Sequence, residues 1–465
     1  MPDRFYVSIA IRSTGLQRMP SENNEKLGVL STLSIGIGGM VGGGIFAVTG
    51  LTVEVTQGGA PTAFLISGIV ALLTSYSYLK LTLRYPGEGG TVEFLNRAFG
   101  GGVLTGSANI LLLLSYVVLL AIYAYAFGSY AASFFPKPDR AFWLHTFICV
   151  VIVGLFLLNL FASKLVIRSE NFFNAAKMVL LLTFIVFGLA TPIEWSRLDF
   201  EHYVSTPGLI AGAMLIFLNY EGFELIANAS DDVANPKRTL PIAYLGGVAI
   251  VMVLYFLIAL IVVGHLGFEE VAQSSAHVLS VAADKVMGRT GYIAIAIAAI
   301  FATSSAINAT FYGTGRLTYI IAKSGELPTE LKRSIRGQHA EGTVITAGLA
   351  LIIANFVPLE AIATMGSAGF LLIFLGVNVA AVRLAKETGG RRWISALAAL
   401  STWVALVVLC VEVDENAATR KHLWILFGMI VLSFVIEFVY RGITGREIRL
   451  AKQKNHAVKG SNEVT

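Results

Sequence analysis

Long apolar runs alternate with short polar segments along most of the chain. A helix needs roughly 17–25 apolar residues to cross the hydrocarbon core of a bilayer. Twelve such runs start near residues 28, 58, 104, 141, 168, 206, 240, 290, 342, 359, 393 and 421, and we number them spans 1 to 12. This pattern predicts an all-α membrane protein with 12 transmembrane helices, since helices satisfy their own backbone polar groups in lipid.

Glycines interrupt two of the predicted spans near their middle. Span 1 contains the glycine-rich stretch Gly36–Phe46, and span 6 contains Phe217–Phe223 around Gly222. A glycine weakens a helix by about 1 kcal/mol relative to alanine, and each backbone group freed inside lipid needs a new partner. Paired interruptions in two halves of a membrane protein indicate a substrate site near the midplane. The competing interpretation is close helix packing through small residues.

The interruption in span 1 recurs five spans later, in span 6. This offset suggests an inverted five-plus-five repeat followed by two additional helices. We expect an N-terminal tail at 1–27, a ten-helix transport core at 28–385, two additional spans at 386–442 and a C-terminal tail at 443–465. The two additional spans are expected to contribute packing, because no interruption and no buried ionisable residue is predicted in them.

Composition and charge fit a protein of the cell membrane. Hydrophobic residues make up 55% of the chain and charged residues only 14%, which excludes an ordinary soluble surface. Of the 34 lysines and arginines, 25 lie in the termini and even-numbered loops and seven on the opposite side. Basic loops stay inside, so both termini are predicted to be cytoplasmic, in the plasma or inner membrane. The same asymmetry explains the net charge of +5, and we expect no nucleic-acid partner.

The residues that usually carry metal or redox chemistry are scattered. Cys149 and Cys410 lie inside predicted spans and are expected to be inert core thiols, and the seven histidines lack metal-ligand spacing. We therefore expect no metal and no cofactor. The absence of a nucleophile–base pair argues against an intramembrane enzyme, and the absence of charged rings argues against a channel. The sequence leaves the oligomeric state open.

A series of short motifs recurs in order along almost the whole chain. They are Gly42–Phe46, Tyr85-Pro86 with Gly89-Gly90, Arg97–Gly100, Lys164 thirteen residues before Lys177, Tyr220–Glu224, Asp232 with Asn235-Pro236, Ser305–Ala309, Gly315-Arg316 and Gly325–Pro328. In this order the chain resembles the amino acid-polyamine-organocation superfamily, and within it the proton-coupled amino acid transporters of broad specificity. The resemblance implies a leucine-transporter-type fold and a secondary active transporter.

The interruptions would suit an amino acid zwitterion. Unwinding at Gly42–Gly44 would expose N–H groups at the start of a half-helix, a site that favours a carboxylate, and carbonyl groups near Phe217–Tyr220 would face a cation. The residues expected to bind substrate are Val41, Gly42, Gly43, Gly44, Ile45, Phe217, Asn219, Tyr220 and Gly222. One departure from the superfamily pattern is Leu218-Asn219, where an aromatic residue and alanine are common. Asn219 could therefore contact polar groups of the substrate.

Lys177 is predicted to lie deep in the membrane. It follows Arg168 by nine residues, about 13 Å along a helix, and an ionisable residue at that depth is a functional candidate. Proton-coupled members of the superfamily carry a lysine here, so the resemblance implies proton coupling through Lys177. Its implied partners are carbonyl groups near Gly36 and the hydroxyl groups of Thr303, Ser304 and Ser305. The alternative is a buried lysine that only clamps spans 1, 5 and 8.

Glu224, two residues after Gly222, is a second intramembrane acid and either belongs to an inner gate or is bonded structurally to nearby backbone. The polar segment 268–284 forms either a short surface helix acting as a lid or a plain loop. Taken together, the patterns and the resemblance predict import of small, neutral L-amino acids by proton symport with alternating access. The alternatives are an exchanger of amino acids or amines without net proton coupling, and a sensor that binds its ligand without transporting it.

Overall fold

A computed structural model describes residues 26–87, 89–324, 340–415 and 419–444, and describes only the backbone at 161–173, 323–324, 340–341 and 443–444. Most of both predicted tails and the motif Gly325–Pro328 lie outside these residues. The described residues form α-helices joined by short 3₁₀ segments and one π-helical turn, with two isolated β-bridges and no strand. The helices are α1 Val29–Met40, α2 Gly44–Thr56, α3 Ala60–Arg84, α4 Gly90–Phe99, α5 Val103–Ala132, α6 Arg140–Ala190, α7 Thr206–Leu215, α8 Leu225–Asn228, α9 Pro236–Pro241, α10 Gly247–His265, α11 Phe268–Ala272, α12 Val278–Ser324, α13 Ala340–Phe356, α14 Leu359–Arg383, α15 Ala385–Thr388, α16 Arg392–Glu415 and α17 Arg420–Thr444.

The structure is that of a multi-pass membrane protein. Among the described residues, eight helices are long and apolar enough to cross a bilayer, or ten if each of two bent helix pairs counts as one span. The bent pairs are α1 with α2, at 48°, and α7 with the segment 217–228, at 46°. Both predicted interruptions, in spans 1 and 6, are therefore confirmed. Two shorter apolar helices cover Asn174–Ala190 and Gly342–Phe356.

Predicted spans 4 and 5 are continuous in backbone conformation. Residues 140–190 form the single helical run α6, including the position of the predicted connection near Lys164 and Arg168. The sequence predicts a break there because charges separate two apolar runs. The segment contains neither proline nor glycine to end a helix, while the stretches on its two sides, Lys137–Leu160 and Asn174–Ala190, are separate apolar helices.

The interrupted helices occupy the centre of the protein. Nearly every residue of α2 is buried, and α2 packs against α5, α7 and α12. Helix α5 also contacts α6, α14 and α17, while α16 and α17 pack outside the other helices with mostly exposed apolar side chains. Spans 1 and 6 are also joined at one end, because the Leu27 N–H donates to the Asp232 carbonyl over 2.8 Å and the Ala234 N–H donates to the Leu27 carbonyl over 2.8 Å.

The segment 268–284 is helical rather than a plain loop. It contains α11, a 3₁₀ turn at Ser275–His277 and the first turns of α12, which kinks at Gly288 where φ is +68°. The 3₁₀ turn packs directly on α2: a Cβ placed at Gly50 would overlap the backbone of Ser275. The short surface helix is therefore confirmed, and its role as a lid stays a prediction.

Two expectations about side chains are wrong. Glu437 in α17 is only 1% exposed, so the last two spans do contain a buried ionisable residue. Its burial is tolerated because Gly106 of α5 leaves room for the carboxyl group and because Arg441 donates to Glu437 Oε1 over 2.9 Å. The cysteines are not core residues: Cys149 is exposed and Cys410 is half-buried, because both lie on apolar helices whose outer faces would meet lipid.

Candidate functional site

The break in span 1 leaves the start of a half-helix in the middle of the protein. After α1 ends at Met40, the Gly42 N–H turns back to donate to the Met40 carbonyl over 2.8 Å. Helix α2 then begins at Gly44, and the Ala47 N–H makes its first helical bond, to the Gly43 carbonyl over 3.0 Å. The preceding N–H groups of the first turn have no carbonyl one turn earlier to bond. They and the helix dipole favour an anion at this point.

The break in span 6 combines a 3₁₀ segment, Phe217–Tyr220, with a glycine that only an unusual backbone can accommodate. Gly222 has φ +118°, a conformation that residues with a Cβ rarely adopt. Ser367 of α14 stabilises the entry to the break, since its hydroxyl donates to the Leu215 carbonyl over 2.6 Å and accepts from the Leu218 N–H over 3.3 Å. Span 6 therefore unwinds without leaving these backbone groups unsatisfied.

The two breaks touch each other backbone to backbone. A Cβ at Gly222 would overlap the main chain of Gly39 and Met40, and a Cβ at Gly39 would stand 2.9 Å from the Gly222 carbonyl oxygen. Such a close approach requires glycine on both sides. The small-residue packing interpretation is therefore correct for these two glycines, although the glycines at 42–44 face other partners.

A tyrosine from a third helix joins the two breaks. The hydroxyl group of Tyr255, on α10, donates to the Met40 carbonyl over 2.7 Å and lies 3.2 Å from the Asn219 carbonyl oxygen. Its ring also packs edge-on against Tyr220, with centroids 5.4 Å apart. Tyr255 is fully buried, so this hydroxyl group serves backbone carbonyls that unwinding has freed in both spans.

Asn219 is the polar side chain that faces the start of α2. Its carboxamide stands where a Cβ on Gly44 would be, and the residue is 1% exposed. Neither its Oδ1 nor its Nδ2 has a hydrogen-bond partner within the described residues. Because a buried polar group without a partner is costly, this amide is a candidate for binding a ligand at the beginning of α2.

Tyr123 and Thr303 close the other side of the break in span 1. A Cβ on Gly43 would lie 2.6 Å from the Tyr123 ring and 3.0 Å from the Thr303 methyl group, and a Cβ on Gly42 would lie 3.6 Å from the Tyr123 hydroxyl. The space beside the exposed N–H groups is therefore narrow.

Two glutamates follow the 3₁₀ segment, and both are buried. Glu224 accepts hydrogen bonds from the Gly222 N–H over 2.7 Å and from the Tyr116 hydroxyl over 3.0 Å. No hydrogen-bond donor among the described residues reaches Glu221 while both carboxyl groups are ionised. When one of them is protonated, Glu221 and Glu224 can hydrogen-bond each other. The interpretation of Glu224 as a structural acid predicts a bond to nearby backbone, and the Gly222 N–H provides it. The Tyr116 hydroxyl also links Glu224 to a neighbouring helix, α5.

Lys177 reaches the first half of span 1. It is 2% exposed, and its Nζ donates to the Gly38 carbonyl over 3.2 Å, two residues from the predicted position at Gly36. Gly36 instead packs against Ile226. The hydroxyl groups of Thr303 and Ser304 each donate to the Ile300 carbonyl of their own helix, with Thr303 also bonding Ala299. Ser305 is half-buried on the same helix.

Several predicted residues pack away from the break rather than toward it. The Tyr220 hydroxyl donates to the Phe64 carbonyl over 2.7 Å, and the Phe217 ring lies edge-on to Phe374 at 5.8 Å. Val41 and Ile45 lie in the break and in the first turn of α2 themselves, and both are fully buried. The predicted residues that the structure brings together around the start of α2 are thus Val41, the glycines at 42–44, Ile45 and Asn219.

Sequence reasoning missed Tyr255, Tyr123 and Ser367. Tyr255 carries the one hydroxyl group in the otherwise apolar run Gly247–Gly264, which was a usable signal. Tyr123 and Tyr116 lie seven residues apart, on one face of α5, so the face that contacts Glu224 also reaches Gly43. Ser367 gave no comparable signal, because serine in a span more often bonds within its own helix.

A membrane-embedded site between two unwound helices, with half-helix N–H groups on one side and polar side chains on the other, is the arrangement of a small-molecule transporter. The sequence profile of the amino acid permease family matches residues 27–435. The chain therefore belongs to the amino acid permease family, within the amino acid-polyamine-organocation superfamily. The family, and the relatives below whose names state a function, are transporters rather than enzymes.

Named relatives extend over nearly the full length of the chain. An uncharacterized protein of Methanocaldococcus jannaschii is 33% identical over 91% of this chain and 97% of its own. The inner membrane transport protein YbaT of Escherichia coli is 30% identical over 90% of this chain and 97% of its own. The methylthioribose transporter of Bacillus subtilis is 26% identical over 82% of this chain and 87% of its own.

Proposed function

We propose that this transporter imports neutral L-amino acids by proton symport, with alternating access around the two breaks. The observation that carries the proposal is the buried Asn219 carboxamide, unpartnered within the described residues and directed at the start of α2. The substrate carboxylate would bind the N–H groups at Gly43, Gly44 and Ile45, where the helix dipole adds partial positive charge. Asn219 would then bond a polar group of the same substrate.

A small, neutral side chain fits the surroundings of this site best. Tyr123 and Thr303 leave little space beside Gly43, and apolar residues such as Val41 and Ile45 surround it. The printed names of relatives include a methylthioribose transporter and, at 25% identity, a vacuolar cationic amino acid transporter of Arabidopsis thaliana. Relatives of this kind therefore differ in substrate, and the proposal for neutral amino acids stands on the site itself.

Lys177 would carry the coupling proton. Its ammonium group donates to the Gly38 carbonyl on the first half of span 1, so loss of a proton would weaken one tie between α6 and the substrate-binding span. Burial inside the membrane makes a permanent charge costly, which favours a lysine that gives up its proton during the cycle.

The proposed architecture is 12 spans in a five-plus-five inverted repeat with two additional helices and both termini cytoplasmic.

Uptake into proteoliposomes tests this proposal. A panel of radiolabelled amino acids is offered with and without an inward proton gradient to wild type, Lys177→Ala and Lys177→Arg. Arginine keeps the positive charge but stays protonated in proteins, so it separates a proton carrier from a clamp. Lys285→Ala, at an exposed ion pair with Glu270 of 3.2 Å, is the control for losing a lysine.

We expect gradient-driven accumulation of neutral amino acids in wild type and in Lys285→Ala, and none in either Lys177 variant. Accumulation by Lys177→Arg equal to wild type would refute proton carriage by this lysine. Uptake that is independent of the gradient and stimulated by internal amino acid would instead establish the exchanger. Preference for cationic substrates would overturn the assignment of substrate class.

A further inference from the structure

The break in span 6 contains two carboxyl groups, although the surrounding hydrogen-bond donors satisfy only one negative charge. Glu221 is 2% exposed and Glu224 is 4% exposed. They lie three residues apart on either side of Gly222, close enough for one carboxyl group to hydrogen-bond the other. Two neighbouring carboxylates in a low-dielectric site repel each other strongly, so such pairs hold a shared proton.

The hydrogen bonds distinguish the two members of the pair. Glu224 accepts from the Gly222 N–H over 2.7 Å and from the Tyr116 hydroxyl over 3.0 Å, both of which stabilise a carboxylate. Glu221 receives no such donor within the described residues. A carboxyl group without donors is most stable when it carries the proton and donates it, and Glu224 is the acceptor within reach.

Within the described part of the chain, the groups that act on Glu221 and Glu224 are the other glutamate, nearby backbone N–H groups and the Tyr116 hydroxyl. The titratable groups on which Glu221 or Glu224 act electrostatically are tyrosines on three helical elements near the break: Tyr78 of α3, Tyr116 and Tyr123 of α5, and Tyr244 of the π-helical turn before α10.

We propose that Glu221 and Glu224 form a carboxyl pair that holds one proton, carried by Glu221 and donated to Glu224, as a second protonatable centre of the transporter. The pair lies in span 6 while Tyr116 lies on α5, so its charge state controls a contact between these helices. Loss of the proton leaves two adjacent carboxylates, which drives the segment 221–224 to rearrange. The presence of this proton does not depend on the proposed substrate, whereas its effect on uptake rests on the proposed function.

Infrared spectroscopy of the full-length protein in lipid tests for the proton directly. The C=O stretching band of a protonated carboxylic acid is recorded at neutral pH for wild type, Glu221→Gln and the control Glu437→Gln. Glu437 is equally buried but pairs with Arg441, so it is expected to be ionised. We expect a band in wild type that is lost in Glu221→Gln and kept in Glu437→Gln. Absence of the band in wild type, or its persistence in Glu221→Gln, would overturn the pair.

Glu224→Gln provides a second variant should Glu221→Gln fail to fold. It replaces the carboxylate acceptor with an amide, so the Glu221 band must shift in frequency, and an unchanged spectrum overturns the proposal.

The pH profile of uptake provides the functional readout. Wild-type uptake should fall as the pair loses its proton at high pH, whereas glutamine at 221 mimics the protonated acid and should flatten that fall. A Glu221→Gln profile identical to wild type would refute control of transport by the pair. If the protein showed the band but transported no amino acid, only the proposed function would be refuted, and the carboxyl pair would stand.

Discussion

The contact between Gly39 and Gly222 gives the sharpest test of how the two breaks meet. A Cβ at position 222 would overlap main-chain atoms of Gly39 and Met40, and backbone atoms cannot turn aside as a side chain can. The φ of +118° adds strain for any residue other than glycine. Gly222→Ala therefore combines a backbone cost of about 1–3 kcal/mol with an overpacking cost of about 1–3 kcal/mol.

Thermal unfolding of purified protein, followed by size-exclusion chromatography, measures this cost. Gly348→Ala is the matched control, because Gly348 lies in α13 with nothing within 4 Å of an added Cβ. Alanine there should stabilise the helix by up to about 1 kcal/mol. We expect Gly222→Ala to lower the melting temperature or prevent recovery of monodisperse protein, while Gly348→Ala matches or exceeds wild type. If Gly222→Ala were as stable as wild type, the backbone contact between the breaks would be wrong.

Three further substitutions test the site and its surroundings. Tyr255→Phe removes the hydroxyl bond to the Met40 carbonyl, so we expect a loss of about 0.5–2 kcal/mol in unfolding free energy, measured by thermal melting; an unchanged melting temperature would contradict the bridge. Asn219→Ala should weaken substrate binding about tenfold, equivalent to about 1.4 kcal/mol, with stability nearly unchanged; equal affinity for a radiolabelled amino acid would exclude Asn219 from the site. Tyr85→Phe removes a 2.6 Å bond to Glu387. Burial and Glu387 raise the pKa of Tyr85 to about 12. The resulting loss of stability should therefore be constant from neutral pH to the usual pKa of about 10 and should vanish only as pH rises through the raised value. A loss that varies around neutral pH would refute this assignment.

The positions of the breaks could be predicted because their cause is local. Glycine clusters inside apolar runs weaken a helix wherever they occur, so Gly42–Gly44 and Gly222 were identifiable without knowing what lies beside them. Lys177 could be placed at depth for the same reason, since helical rise converts residue number into distance. Its contact with the Gly38 carbonyl lies within one helical turn of the predicted position.

Residues that complete the site from other helices could not be predicted. Tyr255 lies more than 30 residues along the chain from Asn219, and Tyr123 lies more than 70 residues from Gly43. Nothing in their local sequence indicates which helix will lie opposite. The directions of Phe217 and Tyr220 are similar cases. Both are aromatic residues in the break, yet packing against Phe374 and the Phe64 carbonyl turns them away from α2.

The sequence by itself determined that this is a multi-pass helical membrane transporter with two broken spans, because hydrophobic length, glycine placement and motif order are properties of the chain alone. Tertiary structure decided how the breaks are used. Only the folded protein brings Gly39 against Gly222, leaves the Asn219 amide facing α2, and buries Glu221 beside a carboxylate that is already satisfied. The physical reason is that hydrogen-bond satisfaction and close packing depend on which atoms meet, and that is settled by helices far apart in sequence.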